Sequence, residues 1–522
     1  MIHFVSTWYD PNRPWYSPEQ VWFHNNALVG ADDTVTQARI FHQGSEEARL
    51  VVLNYAPSLR RFLHSQGIFD VPYWSFFDAI QGLEDDYTRP LNFLTLEWPE
   101  DVSFHYNPFI VTVMREDDVY ARVYLAREGT LHTVRYFGDG MPTLERIYDD
   151  RGFLSSVLMH DEEGRAMTQY YLSRAGDVIL SEDVPSGRID VVDNPDGRFQ
   201  QEAYDSWETL IAEVLGGYLD GRRGHGDTVV LALAEQHNDL VAGLLSDQTL
   251  VLSRFADRPS AASPALLERA GASFADVGDG NAGTDEDGWA YLPTLSIYPL
   301  ERRPTFGASA NEARVYISLF VDSISTDELD YAIALLAARL VADEHTLLQV
   351  CTYRSHDLDY LRDIRRVIAG YQHLDLAVLG DDAESVQLGA DLGIGEGPEE
   401  QIQLVFIDRE ADLIQTMARS RVLIDLGARI DRRLAVEAIN AGVPQINRHE
   451  QPLTTHPING YVLSDEAELP AAVDRFLVGL EHWNESLVQC RVLVDLFTAR
   501  EVLGRWELLR EGVTDAGPAD RA

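Results

Sequence analysis

Seven glycines recur at nearly constant spacing in the second quarter of the chain. They stand at positions 129, 140, 152, 164, 176, 187 and 197, so the successive intervals are 11, 12, 12, 12, 11 and 10 residues. Turn-forming and acidic residues flank them, as in Gly138-Asp139-Gly140, and the runs between them are β-rich or alternate polar with apolar residues. Regular turns separated by period-two strands are typical of an antiparallel meander. The sequence therefore predicts an inserted β-sheet domain over residues 101–199.

On both sides of this segment, short apolar runs alternate with amphipathic helical patterns. The runs before and after it lie at 2–5, 50–53, 228–233 and 250–252, and a second series lies at 315–320, 347–350, 374–379, 404–407 and 422–426. This alternation is the pattern of parallel sheets covered by helices. We therefore predict an α/β fold with two Rossmann-like domains. The first consists of residues 1–100 and 200–305, the second of residues 306–480, and a C-terminal helix and tail follow at 481–522.

Composition restricts the chemistry. The 522 residues include 42 arginines and no lysine, against 85 acidic residues, for a formal net charge of −43. Absence of lysine excludes a Walker A loop, a pyridoxal phosphate Schiff base and a lysine base or nucleophile. An acidic surface argues against nucleic-acid binding, which is driven by clustered cations.

Cysteine content and hydropathy indicate the cellular compartment of the protein. The chain has two cysteines, Cys351 and Cys490, too few for a disulfide framework, and no apolar run approaches the roughly 18 residues of a membrane span. We expect a cytoplasmic protein with no integral membrane segment. No metal site and no cofactor are indicated.

The segment at 422–461 resembles the donor-site segment of retaining GT-B glycosyltransferases. A strand at 422–426 is followed by a short loop, a helix carrying Glu437-Ala438 and the turn Gly442-Val443-Pro444. In those enzymes a nucleotide lies over the loop and the helix N-terminus, whose amides and dipole favour a phosphate. The resemblance implies two glutamates eight residues apart. Glu437 matches the second, whereas Arg429 occupies the place of the first.

Other donor-site residues are missing. Family enzymes commonly hold the diphosphate with an Arg and Lys pair, but the loop after 315–320 offers only Val321-Asp322-Ser323. Arg429, Arg432 and Arg433 then form either a solvated cationic cluster beside acidic residues or a residual anion or sugar site. These three arginines and Glu437 are predicted to be degenerate donor-site positions, and no residue is predicted to be catalytic.

Aromatic motifs near the N-terminus narrow the resemblance. They are Ser6-Thr7-Trp8-Tyr9, Arg13-Pro14-Trp15-Tyr16, Ala31-Asp32-Asp33-Thr34, Leu53-Asn54-Tyr55-Ala56-Pro57 and Tyr73-Trp74-Ser75-Phe76-Phe77-Asp78. In this order they are similar to the family of the first accessory secretory protein of the accessory Sec system. The resemblance implies a GT-B-like fold with an inserted β-domain and no demonstrated transferase activity.

The same resemblance implies partners. They are the second and third accessory secretory proteins, a serine-rich repeat glycoprotein substrate, and the accessory SecA of a dedicated export pair. It also implies peripheral attachment to the membrane through the export complex.

Aromatic side chains can pack against sugar rings without a catalytic carboxylate. Trp8, Tyr9, Trp15, Tyr16 and Trp22 are therefore candidates for a glycan or preprotein surface; the alternative is that they pack in the core and loops.

Three functions remain open. The first is a non-catalytic adaptor that recognises the glycosylated preprotein. The second is an active retaining glycosyltransferase that modifies a Ser/Thr-rich protein, with Arg429 or Arg433 on the diphosphate and Glu437 on the ribose. The third is a purely structural subunit.

Overall fold

A computed structural model describes most of the chain. The described residues are 1–10, 13–16, 32–83, 87–89, 91–107, 110–126, 129–194, 196–255, 258, 262–275, 294–296, 300–371, 401–428, 430–451 and 453–510. The chain divides into two compact units, Met1–Ala275 with Ala282–Leu295, and Asp276–Asn281 with Ser296–Ala522. Within the described residues, no helix has both the length and the apolar character needed to cross a bilayer.

The first unit begins with alternating strands and helices. In chain order these are β1 (Ile2–Val5), α1 (Asp33–Gln43), β2 (Ala48–Val52), α2 (Leu59–Ser65), β3 (Tyr73–Ser75) and α3 (Phe76–Gln81). All four residues of β1 are buried, as expected for a central strand of a parallel sheet. Asp32 caps α1 by accepting a hydrogen bond from the backbone N–H of Val35.

Ten antiparallel strands follow. They are β4 (Val102–Tyr106), β5 (Ile110–Arg115), β6 (Asp118–Leu125), β7 (Leu131–Gly138), β8 (Met141–Asp149), β9 (Phe153–His160), β10 (Ala166–Leu172), β11 (Val178–Asp183), β12 (Arg188–Val191) and β13 (Ala203–Tyr204). They form one ten-stranded sheet in sequence order. All seven regularly spaced glycines have positive φ, between 62° and 95°. The spacing reflects turns that need a left-handed residue.

The first unit then returns to parallel pairing. The remaining elements are α4 (Trp207–Asp220), β14 (Thr228–Ala232), α5 (Asn238–Leu244), β15 (Thr249–Arg254), α6 (Pro264–Arg269), β16 (Ala270–Ala275) and β17 (Thr294–Ser296). The strands order as β17-β16-β15-β14-β1-β2-β3. Strands β2 and β3 lie on one side of β1, and β14 to β17 lie on the other side. The direction in which strands are added to the sheet therefore reverses between β1 and β14. Such a switch point, at the carboxyl ends of the strands, is where open α/β sheets bind ligands.

The ten-stranded sheet has two separate packing regions. Ile147, Leu180 and Ile189 share a buried cluster with Val5 and Leu231 of the parallel sheet. At the other end of the sheet, a second cluster forms around segment 91–98; its buried members include Phe93, Val111, Val123, Val134 and Tyr148. Only part of the sheet is therefore continuous with the main core of the unit.

The second unit is a parallel α/β unit. Its elements are β18 (Val315–Phe320), α7 (Thr326–Ala342), β19 (Thr346–Thr352), α8 (Leu358–Ala369), β20 (Ile402–Phe406), α9 (Glu410–Arg419), β21 (Ser420–Asp425), α10 (Arg432–Ala441), β22 (Gln445–Asn447), β23 (Gly460–Val462), α11 (Leu469–Leu477), α12 (Glu481–Leu496) and α13 (Ala499–Arg510). The sheet order is β20-β19-β18-β21-β22-β23, so its switch point lies between β18 and β21. The apolar run at 374–379 lies outside the described residues.

The C-terminal segment differs from the single helix that its pattern predicts. Helix α12 stops at Leu496 and α13 starts at Ala499. The carbonyl of Phe497 accepts a hydrogen bond from the N–H of Leu300 at 2.7 Å. A carbonyl bonded to a distant segment no longer serves the helical ladder, so the helix is interrupted there.

Candidate functional site

Asp425 lies at the switch point of the second unit, as the last residue of β21. Its side chain is nearly inaccessible, with 1% exposure. One carboxylate oxygen accepts from the N–H of Gly427 at 3.0 Å and from the Ser323 hydroxyl at 3.3 Å, and the other accepts from the N–H of Asp431 at 2.7 Å. Burial raises the pKa of Asp425 to about 6. The loop after β21 is thus folded around a carboxylate of the chain itself.

Asp431 closes the N-terminus of α10, the helix that resembles a nucleotide-binding helix. Its carboxylate accepts from the N–H of Leu434 at 3.0 Å and from the hydroxyl of Tyr353 at 2.9 Å. The Arg433 guanidinium lies 4.3 Å from the centre of the Tyr353 ring and donates to Asp431 at 3.4 Å. A carboxylate therefore occupies the helix end that would favour a phosphate.

Asp322 follows β18, on the other side of the switch point. It accepts hydrogen bonds from the Thr352 hydroxyl, from the N–H of Tyr353 at 2.8 Å and from the Tyr360 hydroxyl at 3.1 Å. Where a diphosphate-binding enzyme places cations, this loop presents a carboxylate that is already engaged. Three carboxylates, Asp322, Asp425 and Asp431, therefore lie at this switch point, with Arg432 and Arg433 on the first turn of α10.

Glu437 is held by an arginine that sequence reasoning missed. The guanidinium of Arg303 donates to both Glu437 oxygens, with Nε to Oε1 and Nη2 to Oε2 each at 3.0 Å. Asn440 adds a further hydrogen bond at 3.2 Å. Burial alone would lower the pKa of Arg303, but hydrogen bonding and the charge of Glu437 outweigh it and raise that pKa. Glu437 is 4% exposed, and its carboxylate is engaged by Arg303 and Asn440.

Arg432 and Arg429 are the remaining predicted donor-site positions. Arg432 is the first residue of α10, next to Asp431. Arg429 lies outside the described residues. Among the described residues, no group of three His, Cys, Asp or Glu side chains is arranged to hold a metal ion.

Tyr9 lies beside the switch point of the first unit. Its hydroxyl is 2.6 Å from Nδ1 of His237, and Nε2 of the same ring is 2.7 Å from the carbonyl oxygen of Ala232, the last residue of β14. A carbonyl only accepts, so Nε2 donates to it and Nδ1 accepts from the tyrosine. Burial lowers the pKa of His237 to about 4, which keeps the ring neutral. No residue pattern near His237 marks this pair in the sequence.

The other aromatic candidates surround Tyr9 or extend from it. Trp15 is 3% exposed, stacks edge-on against Tyr9 at 5.2 Å and donates from its indole to Glu208 at 2.6 Å. Trp15 is therefore packed within the main hydrophobic cluster of the first unit. Trp8 packs against Phe62 at 4.8 Å.

Tyr16 and Trp22 complete the predicted set. The Tyr16 ring lies 5.6 Å from Tyr55 and beneath the guanidinium of Arg13 at 4.8 Å. Trp8, Tyr9 and Tyr16 are partly exposed, and the structure brings Tyr9 and Trp15 into contact. Trp22 lies outside the described residues.

Comparison with known proteins gives one family. Residues 1–512 match the family model of the accessory Sec system protein Asp, member one. The member from Staphylococcus aureus is 26% identical over 524 residues, covering 99% of this chain and all of the relative. The member from Streptococcus gordonii is 29% identical over 538 residues with the same coverage.

Solved structures extend the comparison. The glycosylation-associated protein (Gap123) complex from Streptococcus agalactiae contains a chain with a TM-score of 0.79 and 28% identity, over 97% of this chain and 99% of that one. The structure of accessory secretory proteins 1, 2 and 3 of Streptococcus pneumoniae gives a TM-score of 0.79 at 25% identity, over 98% and 99%.

A glycosyltransferase shares the fold. The pneumococcal O-GlcNAc transferase GtfA, solved with UDP and GlcNAc, gives a TM-score of 0.64 at 11% identity over 99% of both chains. The predicted GT-B-like α/β fold with parallel sheets is confirmed. This chain belongs to the family of the first accessory secretory protein of the accessory Sec system.

Proposed function

We propose that this chain is a non-catalytic, glycosyltransferase-like component of the accessory Sec system. The proposal depends on the hydrogen bonds at the switch point of the second unit, between β18 and β21. Asp425 and Asp431 fold the loop and cap α10, and Glu437 is committed to Arg303. A phosphate at this helix end would meet the Asp431 carboxylate that already caps it, and repulsion between like charges would oppose its binding.

A transfer assay tests the absence of catalysis. Purified protein is incubated with UDP-GlcNAc or UDP-glucose and a Ser/Thr-rich repeat peptide, with and without divalent metal, and products are followed by mass spectrometry. We expect neither transfer nor hydrolysis above the protein-free rate. Clear, metal-independent transfer of either sugar would overturn the proposal in favour of an active retaining glycosyltransferase.

The proposed partners are the second and third accessory secretory proteins, the serine-rich repeat glycoprotein and the accessory SecA. Support comes from the related assembly from Streptococcus pneumoniae, which contains accessory secretory proteins 1, 2 and 3. We propose that the protein works in the cytoplasm and is attached to the membrane through the export complex. Two buried, unpaired cysteines, Cys351 and Cys490, are compatible with that compartment.

We further propose that the ten antiparallel strands act as a domain inserted in the first Rossmann-like domain. The predicted boundaries, residues 1–100 with 200–305, 101–199, 306–480 and 481–522, are part of this proposal; nine of the ten strands lie within 101–199, and the two-residue β13 (Ala203–Tyr204) follows it. Continuity of β14 with β1 through parallel pairing, Ile2 opposite Thr228, supports it.

The partly exposed rings of Trp8, Tyr9 and Tyr16 are the proposed contact for glycan or preprotein. The test compares binding of glycosylated and unglycosylated repeat polypeptide to the wild type, Trp8→Ala and Tyr16→Ala. Tyr331→Ala, on an exposed site of α7, is the matched control. We expect weaker binding in the first two variants only; equal binding in all four proteins would remove this surface.

A further inference from the structure

Among the residues that the structure describes, one side of the ten-stranded sheet ends in a five-residue edge strand. Strand β4 is the last strand on one side and pairs with β5 alone among the described residues. Its five residues run in an unbroken antiparallel register, from Val102 opposite Arg115 to Tyr106 opposite Val111. The strand at the other side of the sheet, β13, has only two residues. The two edges of the sheet are thus very different in length.

The register shows which backbone groups of β4 are used by β5. The N–H of Asn107 donates to the carbonyl of Ile110 at 3.2 Å, which makes these two residues a hydrogen-bonded pair. Hydrogen-bonded and non-bonded pairs alternate along an antiparallel ladder. By this alternation, Ser103 and His105 direct their backbone groups towards β5.

The alternate residues, Val102, Phe104 and Tyr106, direct their N–H and C=O groups to the open side. Natural sheets protect such edges with lysine, proline, bulges or charged side chains. The sequence of β4, Val-Ser-Phe-His-Tyr, contains none of these, and its pairing with β5 has no bulge. The edge has the features of one that is paired in the working state of the protein.

Aromatic side chains border one part of this edge. The Phe104 ring lies 5.6 Å from Trp98 and 5.8 Å from Phe93, within the smaller hydrophobic cluster. Tyr106 is 64% exposed, and Leu94 next to Phe93 is 53% exposed. An added strand would find apolar surface on this face in addition to backbone partners.

The other end of β4 is strongly acidic. Arg115 is the cation there and is bound to Asp101 at 2.7 Å, with both side chains about half exposed. Five exposed carboxylates surround this end: Glu100, Asp101, Glu116, Asp117 and Asp118. A strand with a basic residue at this position would be attracted, whereas an acidic one would be repelled.

We propose that β4 accepts a strand from one of the two accessory secretory partners by β-augmentation. The segment is extended, places apolar side chains beside Phe104 and Tyr106, and carries a basic residue beside the acidic end. This inference rests on the proposed assembly with those partners. A second copy of this chain is disfavoured because each copy carries a formal net charge of −43.

Hydrogen exchange on the intact complex tests the proposal directly. Residue-resolved exchange of 102–106 is measured for the full chain alone and co-purified with the second and third accessory secretory proteins. We expect the amides of Val102, Phe104 and Tyr106 to exchange at least about tenfold more slowly in the complex. The amides of Ser103 and His105, already bonded to β5, act as the internal reference and are protected in both samples.

A pair of substitutions at Tyr106 separates backbone pairing from ring contact. Tyr106→Pro removes an outward N–H without removing a bond to β5, whereas Tyr106→Ala removes the ring and keeps the N–H. We expect Tyr106→Pro to weaken co-purification at least about tenfold and more than Tyr106→Ala. Circular dichroism and melting of each free variant verify that both fold.

The possible outcomes distinguish failure of the proposed function from failure of the edge-pairing inference. If the wild type forms no complex with either protein, the proposed function fails. If the complex forms but exchange at Val102, Phe104 and Tyr106 is unchanged, the edge-pairing inference fails alone. Protection that rises with the concentration of this chain by itself would assign the edge to a second copy and also contradict the inference.

Discussion

Glu437 matches a residue of the donor-site segment of retaining GT-B glycosyltransferases, and in this structure it forms a buried ion pair. Its two oxygens are bound by Arg303, and Asn440 bonds one of them. A sequence motif records residue types at a spacing, whereas function depends on which partner the side chain has in space. Arg303 is 134 positions away, too far for any local pattern to link it to Glu437.

Glu437→Gln should therefore lower stability. The substitution removes the buried carboxylate that binds Arg303 through both oxygens and leaves Arg303 with the more exposed Glu301 and Glu410. We expect a loss of about 2 kcal/mol in the free energy of unfolding. Chemical denaturation measures it, with the exposed Glu344→Gln as the matched control, expected within about 0.5 kcal/mol of wild type. A Glu437→Gln protein as stable as the wild type would show that the Glu437–Arg303 pair does not stabilise the fold.

His237 gives a prediction for pH. Its folded-state pKa of about 4 lies below the ordinary value of 6.5, so the unfolded chain binds the proton more readily between these values. Stability from the neutral ring is complete above pH 6.5 and declines as pH falls to 4. Asp425, with a raised pKa, has the opposite sign over its own range.

The measurement is the difference in unfolding free energy between wild type and His237→Gln at several pH values. Because Asp425 is present in both proteins, its effect cancels. We expect the advantage of the wild type to shrink between pH 6.5 and pH 4. An advantage that stays constant or grows on acidification would contradict a neutral, buried His237.

At the scale of elements, turns were the most predictable feature, because each regularly spaced glycine supplies a positive φ that other residues resist. Strand existence followed from apolar runs, and β18 occupies the predicted residues 315–320. The sequence pattern did not indicate which residues attach the ten-stranded sheet to the helices of the first unit. Arg60 binds Asp149 and Asp150, and Arg151 binds Asp78 and Asp149, joining the β8–β9 turn to α2 and α3.

Two glycines of the series distinguish the stability cost of a close backbone contact from the cost of the positive φ alone. A Cβ on Gly152 would lie 1.6 Å from the carbonyl oxygen of Arg89, whereas a Cβ on Gly176 meets nothing within 4 Å, and both have positive φ. Gly176→Ala should cost about 1 kcal/mol from the left-handed conformation alone. Gly152→Ala should cost at least about 3 kcal/mol. Equal losses in denaturation would contradict the close approach.

At the scale of the whole molecule, the chain has a GT-B-like fold, and at the switch point of the second unit Asp425 and Asp431 bind the loop after β21 and the start of α10. The GT-B-like fold was predictable because strand–helix alternation and the 422–461 segment repeat a known arrangement. The arrangement of side chains at this switch point was only partly predictable. Absence of a basic loop after β18 was visible in the sequence, but the bonds joining Tyr353, Asp431 and Arg433 required the structure.

Net charge gives a prediction for the molecule as a whole. With a formal net charge of −43, self-repulsion opposes the compact state and is screened by salt. We expect the melting temperature to rise between about 10 mM and about 150 mM NaCl. Differential scanning calorimetry measures it; a fall in melting temperature would mean that attractive surface ion pairs outweigh the repulsion.

Calorimetric titration of the full chain with UDP tests the central claim, that the donor site is closed, most directly. We predict no saturable binding up to millimolar UDP, in the wild type and in Arg433→Gln alike. Micromolar binding by the wild type that is lost in Arg433→Gln would show a working nucleotide site on α10 and contradict the account.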